Sequence, residues 1–260
     1  MRIAIIGAGI SGIAAAHSLR KTGHDVVVYE KSHRIGGVWA LGYPDVRLQN
    51  TRDQYRLMDL PWSTQPDLHP TSAQVQHHLN EAIDKLGLSI RLGHEVTKLE
   101  ETQNGWRVHY RNDSGTGLTD FDFVVTSIGQ YSGHKRMPEF PGQDNFQGKI
   151  MTEREINDLS VFDGKKVLVA GFGKSALDMS AFAVGHASEV HHLFRTPRWM
   201  VPFHIMGMHY SRLLFCRMGT ILMPSWVQPN ATEAFIHRKL GFLVRANWIL
   251  VQSIIRLQKY

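Results

Sequence analysis

Two short glycine-rich stretches carry the residues whose spacing points to chemistry. The first is Gly7-Ala8-Gly9-Ile10-Ser11-Gly12, and the second is Gly171-Phe172-Gly173-Lys174-Ser175-Ala176. Each comes after a short apolar run, Arg2 to Ile6 in one case and Lys166 to Ala170 in the other. In a G-x-G-x-x-G/A turn the first glycine permits a tight bend and the second lets the backbone approach a pyrophosphate. The third position packs helix closely on strand. The N–H groups at the start of the helix then face the phosphates, and the helix dipole favours their charge. Gly7, Gly9 and Gly12 complete the first pattern, and Gly171, Gly173 and Ala176 complete the second. Ser11 and Ser175 stand beside the third position of each and are counted with the candidate cofactor-binding residues. Two such loops suit a protein that holds two nucleotides and passes electrons between them.

The residues downstream of each loop separate the two ligands. After the first come an apolar helical stretch, Ile13 to Leu19, a turn at Gly23 and the strand Asp25 to Tyr29, then Glu30 and Lys31. A carboxylate about 20 residues past the loop accepts hydrogen bonds from ribose hydroxyls and repels a 2′-phosphate, so this site reads as one for FAD or NAD. After the second loop the matching strand runs from Glu189 to Phe194 and leads into Arg195, with Arg198 close behind. An arginine there suits the 2′-phosphate of NADP. Its other reading is a solvated charge at a strand end.

The elements that must position these loops form an α/β protein. It has two Rossmann-like dinucleotide-binding units, a small β insertion and a helical C-terminal tail. Residues 1–142 are expected to bind FAD and 143–204 NADPH, with 205–260 a basic, apolar tail. Lys31 to Trp62 reads as loop. Ser72 to Leu86 reads as a helix capped by Thr71 or Ser72, with apolar residues at Val75, Leu79, Ala82, Ile83 and Leu86. Strands are expected at Ser89–Leu92, Glu95–Glu100, Gly105–Tyr110 and Asp120–Ser127, with a turn over Asn112–Gly117. The second strand–helix–strand unit spans Lys165 to Arg195.

Composition narrows the function classes. A chain of 260 residues, 43% hydrophobic and 20% charged, can bury a core in one large or two modest domains. Its net charge of +6 suits phosphate-rich cofactors, and no nucleic-acid partner is expected. The single cysteine, Cys216, excludes an intrachain disulfide and a CxxC redox pair. That removes disulfide reductases of the thioredoxin reductase kind. No metal site is expected: in the pairs His77-His78 and His191-His192, adjacent side chains point to different faces. No secretory signal or membrane-spanning stretch is read, which points to the cytoplasm. The segment from Phe203 to Tyr260, rich in Met, Trp, Leu, Ile and Arg, has two readings. It is a helix packed on its own domain, or a helix in weak contact with a membrane surface.

In order and spacing, the whole chain resembles a flavin-containing monooxygenase. GAGISG with Glu30 opens the resemblance, and Gly36-Gly37-Val38-Trp39 is similar to the GGxW segment beside the flavin. Leu48-Gln49-Asn50-Thr51, then Asp59-Leu60-Pro61-Trp62, is similar to the stretch that reaches the isoalloxazine. Phe121 to Gly129 resembles the strand returning to the flavin domain. Phe140-Pro141-Gly142, Phe146-Gln147-Gly148, GFGKSA and Arg195 to Trp199 complete the order. The resemblance implies FAD and NADPH as cofactors, with Gly37, Val38, Trp39 and Thr51 among the flavin contacts. It implies that NADPH reduces FAD and that O2 is activated as a peroxyflavin. A small nucleophilic substrate, N- or S-containing or a carbonyl, then takes one oxygen atom. The family's amide beside the flavin would be Asn50 by local pattern, or Gln49 counting back from Asp59-Leu60-Pro61.

Two departures are visible. The family's FxGxxxH signature ends here in Thr152, with Ile156 at the later aromatic position. Threonine has no ionisable ring, which counts against a Baeyer–Villiger assignment. The chain is also shorter than the family pattern, and a truncated C-terminus is expected. The competing functions are a catalytically silent nucleotide-binding remnant and an NADPH oxidase or reductase that does not oxygenate substrate. Oligomeric state is left open.

Overall fold

The computed structural model describes residues 1–130, 137–198, 200–223 and 229–258. Trp199 of the Arg195–Trp199 segment, and tail positions 224–228 and 259–260, lie outside the described residues. The chain forms two compact units, Met1–Phe194 and Arg195–Tyr260.

The first unit is built on a parallel sheet. Strand β1 (Arg2–Ile6) leads through the first glycine loop to helix α1 (Ile10–Lys21) and strand β2 (Asp25–Tyr29). Helix α2 (Ser72–Leu86) and strand β3 (Ser89–Arg91) come after them. An antiparallel meander is next: β4 (Glu95–Thr102), β5 (Gly105–Asn112) and β6 (Gly115–Phe121). Strand β7 (Phe123–Thr126) then returns to β1, giving the sheet order β3-β2-β1-β7, with all its pairs parallel.

Strand alternation explains the layering, because successive side chains point to opposite faces. Ile3, Ile5, Val26 and Val28 face α1 and α2, burying against Ile13, Ala16, Val75, Leu79 and Ala82. Ala4, Val27 and Tyr29 face the meander and meet Val108 and Phe121. Burying each Val or Ile side chain contributes roughly 1.5–3 kcal/mol. Both faces of the central strands are therefore covered, as a parallel sheet requires. Helix α2 has the expected bounds. The Thr71 hydroxyl accepts from the Gln74 N–H, the Gln74 side chain returns to the Thr71 N–H, and Gly87 ends the helix in the left-handed region.

Two sequence expectations are corrected here. The single strand over Asp120–Ser127 is two strands in two different sheets. At Asp122 the backbone N–H donates to the Arg2 carbonyl (2.9 Å) while the carboxylate accepts from the Arg2 N–H (2.6 Å), and the chain changes sheets there. The turn over Asn112–Gly117 narrows to Asp113-Ser114. The Asn112 carboxamide oxygen accepts from the Ser114 N–H and closes the bend, so β6 already begins at Gly115.

The second strand–helix–strand element comprises β8 (Lys166–Ala170), α3 (Lys174–Val184) and β9 (Glu189–Leu193). Strands β8 and β9 pair in parallel as a two-stranded sheet. One face packs on α3 and on Tyr43, Ile156 and Phe162. The other leaves Leu168 63% and Leu193 59% exposed.

The second unit begins with a hairpin, β10 (His204–Ile205) and β11 (Met208–His209), turning at Met206-Gly207 with both φ angles positive. The helices of this unit are α4 (Tyr210–Leu214), α5 (Arg217–Leu222), α6 (Ala231–Lys239) and α7 (Gly241–Gln258). Helix α7 buries Val244 and Ile255 and exposes Phe242, Leu243, Ile249, Leu250 and Leu257. At 100° per residue those exposed positions form one stripe. Among the described residues no single helix is long and apolar enough to cross a membrane, and α6 and α7 meet at an 81° bend.

Candidate dinucleotide sites

The first glycine loop is fixed by backbone geometry that only glycine permits. Gly7 has φ 105°, and a Cβ there would lie 2.4 Å from the Ser127 carbonyl oxygen. A Cβ on Gly12 would lie 1.9 Å from the Gly7 oxygen, so the helix packs directly on the turn. The Gly7 N–H donates to the Tyr29 carbonyl (2.7 Å), tying the loop to the end of β2. Helix α1 starts at Gly9 with no side-chain cap and no acidic residue in its first turn.

Glu30 occupies the strand end and is buried. One carboxylate oxygen accepts from the Ala8 N–H (2.8 Å) and the other from the Ser32 N–H (2.9 Å). Each oxygen retains acceptor capacity for a hydroxyl donor. The Gly36 N–H donates to the Ala8 carbonyl (2.9 Å), and Gly37 lies against Gly9 across the loop. Gly7, Gly9, Gly12, Glu30 and Gly37 are thus brought together. Ser11, Lys31 and Val38 are neighbours of these residues in sequence, and all three are exposed.

Trp39 is held by two hydrogen bonds. Its indole N–H donates to the Tyr55 hydroxyl (2.5 Å), and its carbonyl accepts from the Ser72 hydroxyl (2.7 Å). Burial pushes the Tyr55 phenol above its ordinary pKa, against the indole bond, which lowers it. Beside Trp39 opens a cleft of about 540 Å³, with Arg34, Tyr43, Asp45, Ser72 and Gln76 in its walls.

Gln49 and Asn50 are on the stretch before Thr51, which is buried. That stretch is braced by residues 66–70. The Leu48 N–H donates to the Pro70 carbonyl (2.8 Å), the Arg52 N–H to the Leu68 carbonyl (2.9 Å), and His69 Nδ1 meets the Asn50 carbonyl at 3.2 Å. Thr51 forms a capping box with Gln54.

The second loop repeats the first in outline. Gly171 has φ 129°, and its N–H donates to the Leu193 carbonyl (2.8 Å), as Gly7 does to Tyr29. Helix α3 also starts without a side-chain cap or an acid in its first turn, and a Cβ on Gly173 would meet nothing within 4 Å. Ser175 and Ala176 lie in that first turn, half-buried. The shared bond equates Leu193 with Tyr29, so Phe194 stands where Glu30 stands. Arg195 is exposed and opens the second unit, one residue further on.

One residue here, Tyr43, escapes sequence reasoning. The Tyr43 hydroxyl donates to the Asp178 carboxylate (2.7 Å), which also takes the Lys174 ammonium. Burial first, then the Asp178 carboxylate, push the Tyr43 phenol far above its ordinary range, so it stays a neutral donor. The i,i+4 spacing of Lys174 and Asp178 is legible, but Tyr43 lies in what reads only as loop. Thr152 has a local role: it caps the turn Glu153–Glu155, its hydroxyl donating to Glu155 (2.8 Å). Ile156 is buried in the core beside Tyr43.

These features define a class of protein, a paired dinucleotide-binding α/β fold with a meander inserted in the first unit. Residues 4–205 match the pyridine nucleotide-disulphide oxidoreductase family, and the chain belongs to that family. Within the chain Cys216 is the one cysteine, so the dithiol chemistry in the family's name has no cysteine pair here. The chain is similar to a 4-hydroxybenzoate brominase (decarboxylating) of Pseudoalteromonas luteoviolacea (strain 2ta16). The two are 32% identical over 183 residues, covering 69% of this chain and 35% of the relative. It is also 32% identical over 246 residues to a probable flavin-containing monooxygenase 1 of Arabidopsis thaliana, covering 78% of this chain and 46% of that protein. The structure of S-allyl-L-cysteine S-oxygenase from Allium sativum superimposes with TM-score 0.68 at 27% identity, covering 79% of this chain and 54% of that one. The chain spans about half the length, or less, of the curated relatives it matches. The Arabidopsis relative carries the name of the family that the motifs resemble.

Proposed function

We propose that the chain is the nucleotide-binding part of an FAD- and NADPH-dependent monooxygenase acting on a small nucleophilic substrate. The observation that carries this reading is the pairing of two open glycine loops in one unit, only the first backed by a buried carboxylate. The residues fit FAD at the first loop. Gly9 leaves the backbone approachable, the start of α1 is free of acids, and Glu30 offers acceptors to ribose hydroxyls. They fit NADPH at the second. Gly173 is open, no carboxylate stands at Phe194, and Arg195 comes next in sequence.

Bound FAD would accept a hydride from NADPH and activate O2, which is the cofactor's own chemistry. The chain's part is to bind, orient and exclude water. Gly37 borders the first loop, and the Trp39–Tyr55 bond holds the indole two residues further on. Asn50 or Gln49 supplies an amide toward the flavin, and the backbone preceding Thr51 holds it in place. Thr152, bound as a cap, offers no proton at neutral pH. The substrate class, with N, S or carbonyl centres, follows from the resemblance to flavin-containing monooxygenases, and the S-oxygenase of Allium sativum is named for a sulfur substrate.

The test is the visible spectrum of the purified chain. A flavin band that bleaches with NADPH and recovers in air is expected. A protein that stays colourless after reconstitution with FAD overturns the reading and favours the silent remnant. Bleaching and recovery with no oxygenated product favours the oxidase.

A membrane-surface contact is proposed for the second unit. Helix α7 exposes its apolar stripe, carries Arg245 and Arg256 beside it and has no acidic residue. Such a face suits an anionic lipid interface. Sedimentation with anionic vesicles but not zwitterionic ones is expected, and no sedimentation with either overturns it.

A further inference from the structure

Lys174 is the first residue of α3, where the helix dipole is already positive and a cation is disfavoured. It lies N-terminal to Asp178, the weaker sense for an i,i+4 ion pair. A locally unfavourable charge at a loop built for phosphate asks for an anion that the loop itself would hold. Asp178 meanwhile has a side chain only 19% exposed and accepts from two donors, Lys174 and the buried Tyr43 hydroxyl. Tyr43 packs edge-on to Phe182 of α3 and also lines the cleft beside Trp39. One carboxylate therefore joins the flavin-side loop to the first turns of the second nucleotide helix.

We propose that Lys174 is the phosphate-recognising side chain of the second nucleotide site, held in reserve by Asp178, and that Tyr43 is the positioning residue sharing that carboxylate. This rests on the NADPH reading above. Side chains on a helix lean toward its N-terminus, so the ammonium reaches a phosphate at the Gly171–Gly173 loop by rotating its own stem. When it leaves, Asp178 still has the Tyr43 hydroxyl, and no part-buried carboxylate is stranded without a donor. Without that hydroxyl, Asp178 would hold Lys174 more tightly and compete better with the nucleotide. The three residues thus set how readily the second site takes a phosphate.

The experiment is calorimetric titration of NADP+ into the full chain at two salt concentrations, for the parent, K174Q, D178N and Y43F, with Tm recorded for each. K174Q is expected to weaken NADP+ about tenfold and to flatten the salt dependence of binding. D178N is expected to tighten binding severalfold, and Y43F to weaken it. A merely structural role would lower Tm in D178N and Y43F and would not tighten binding in either. Unchanged or weaker binding in D178N overturns the proposal. Should D178N fail to fold, K174Q at its part-exposed position decides alone, and unchanged affinity there overturns it. A parent chain that binds no NADP+ overturns the NADPH reading, and this inference with it. A parent that binds while K174Q binds equally well overturns only the inference.

Discussion

The two strand–loop–helix–strand elements share a motif and differ in almost everything around it. In the first, the middle residues of β1 and β2 are buried on both faces, and the strand end carries a carboxylate bonded back to the loop. In the second, β8 and β9 alternate between half-buried and exposed, and the strand end carries Phe194, packed against Phe172 with ring centroids 4.5 Å apart. The turn is therefore specified locally, by glycines and one backbone bond. Burial and ligand preference are specified by what the rest of the chain brings to it. The third motif position makes the same point. A methyl at Gly12 would strike the Gly7 carbonyl, whereas Ala176 already carries one, 3.5 Å from where a Cβ on Gly171 would be.

Gly12→Ala should erase the contrast most severely. The clash is with backbone, so a loss of about 3 kcal/mol or more is expected in a denaturant melt, together with loss of bound flavin. Next comes Glu30→Gln. An amide keeps one acceptor but turns its NH2 toward a backbone donor, so roughly 1–3 kcal/mol and most FAD affinity should be lost. Phe194→Asp copies the acidic strand end into the second site. It should move nucleotide preference from NADP+ toward NAD+ by about tenfold in competitive titration. Gly173→Ala should leave stability within about 0.5 kcal/mol, since its Cβ meets nothing, while weakening NADP+ by narrowing the approach of the pyrophosphate.

The mildest change is expected with pH. His78 is buried against Trp62 with its Nε2 unpartnered among the described residues, and burial pushes its imidazole below the ordinary value. The fold favours the neutral ring, so the unfolded chain binds more protons as pH falls past about 6.5. Stability should be full above that pH and decline below it. His78→Phe should flatten that part of the profile, and an unchanged slope would remove His78 from the account.

Much of this was legible in the sequence because its causes are local. The α2 bounds come from Thr71, Gln74 and Gly87, and both glycine loops from spacing alone. The break at Asp122 was not legible, since it depends on an exchange of hydrogen bonds with Arg2 at the other end of the unit. Nor was Tyr43, whose partner Asp178 comes from a distant helix. Thr152 stands where the family pattern has histidine, and its capping bond to Glu155, a local one, is what it makes instead.

The place of β1 in the sheet bears on how the chain is made. Its pairing with β2 is nearly immediate, but its other edge must wait for β7, where Ile3 meets Phe123. Until Thr126 has emerged from the ribosome, the nascent chain presents the apolar edge of β1 with no neighbour on that side. Such long-range parallel closure is slow, and an open edge is a template for association with other chains. A ribosome stalled within the meander would thus release a product more prone to aggregate than one stalled just after β7.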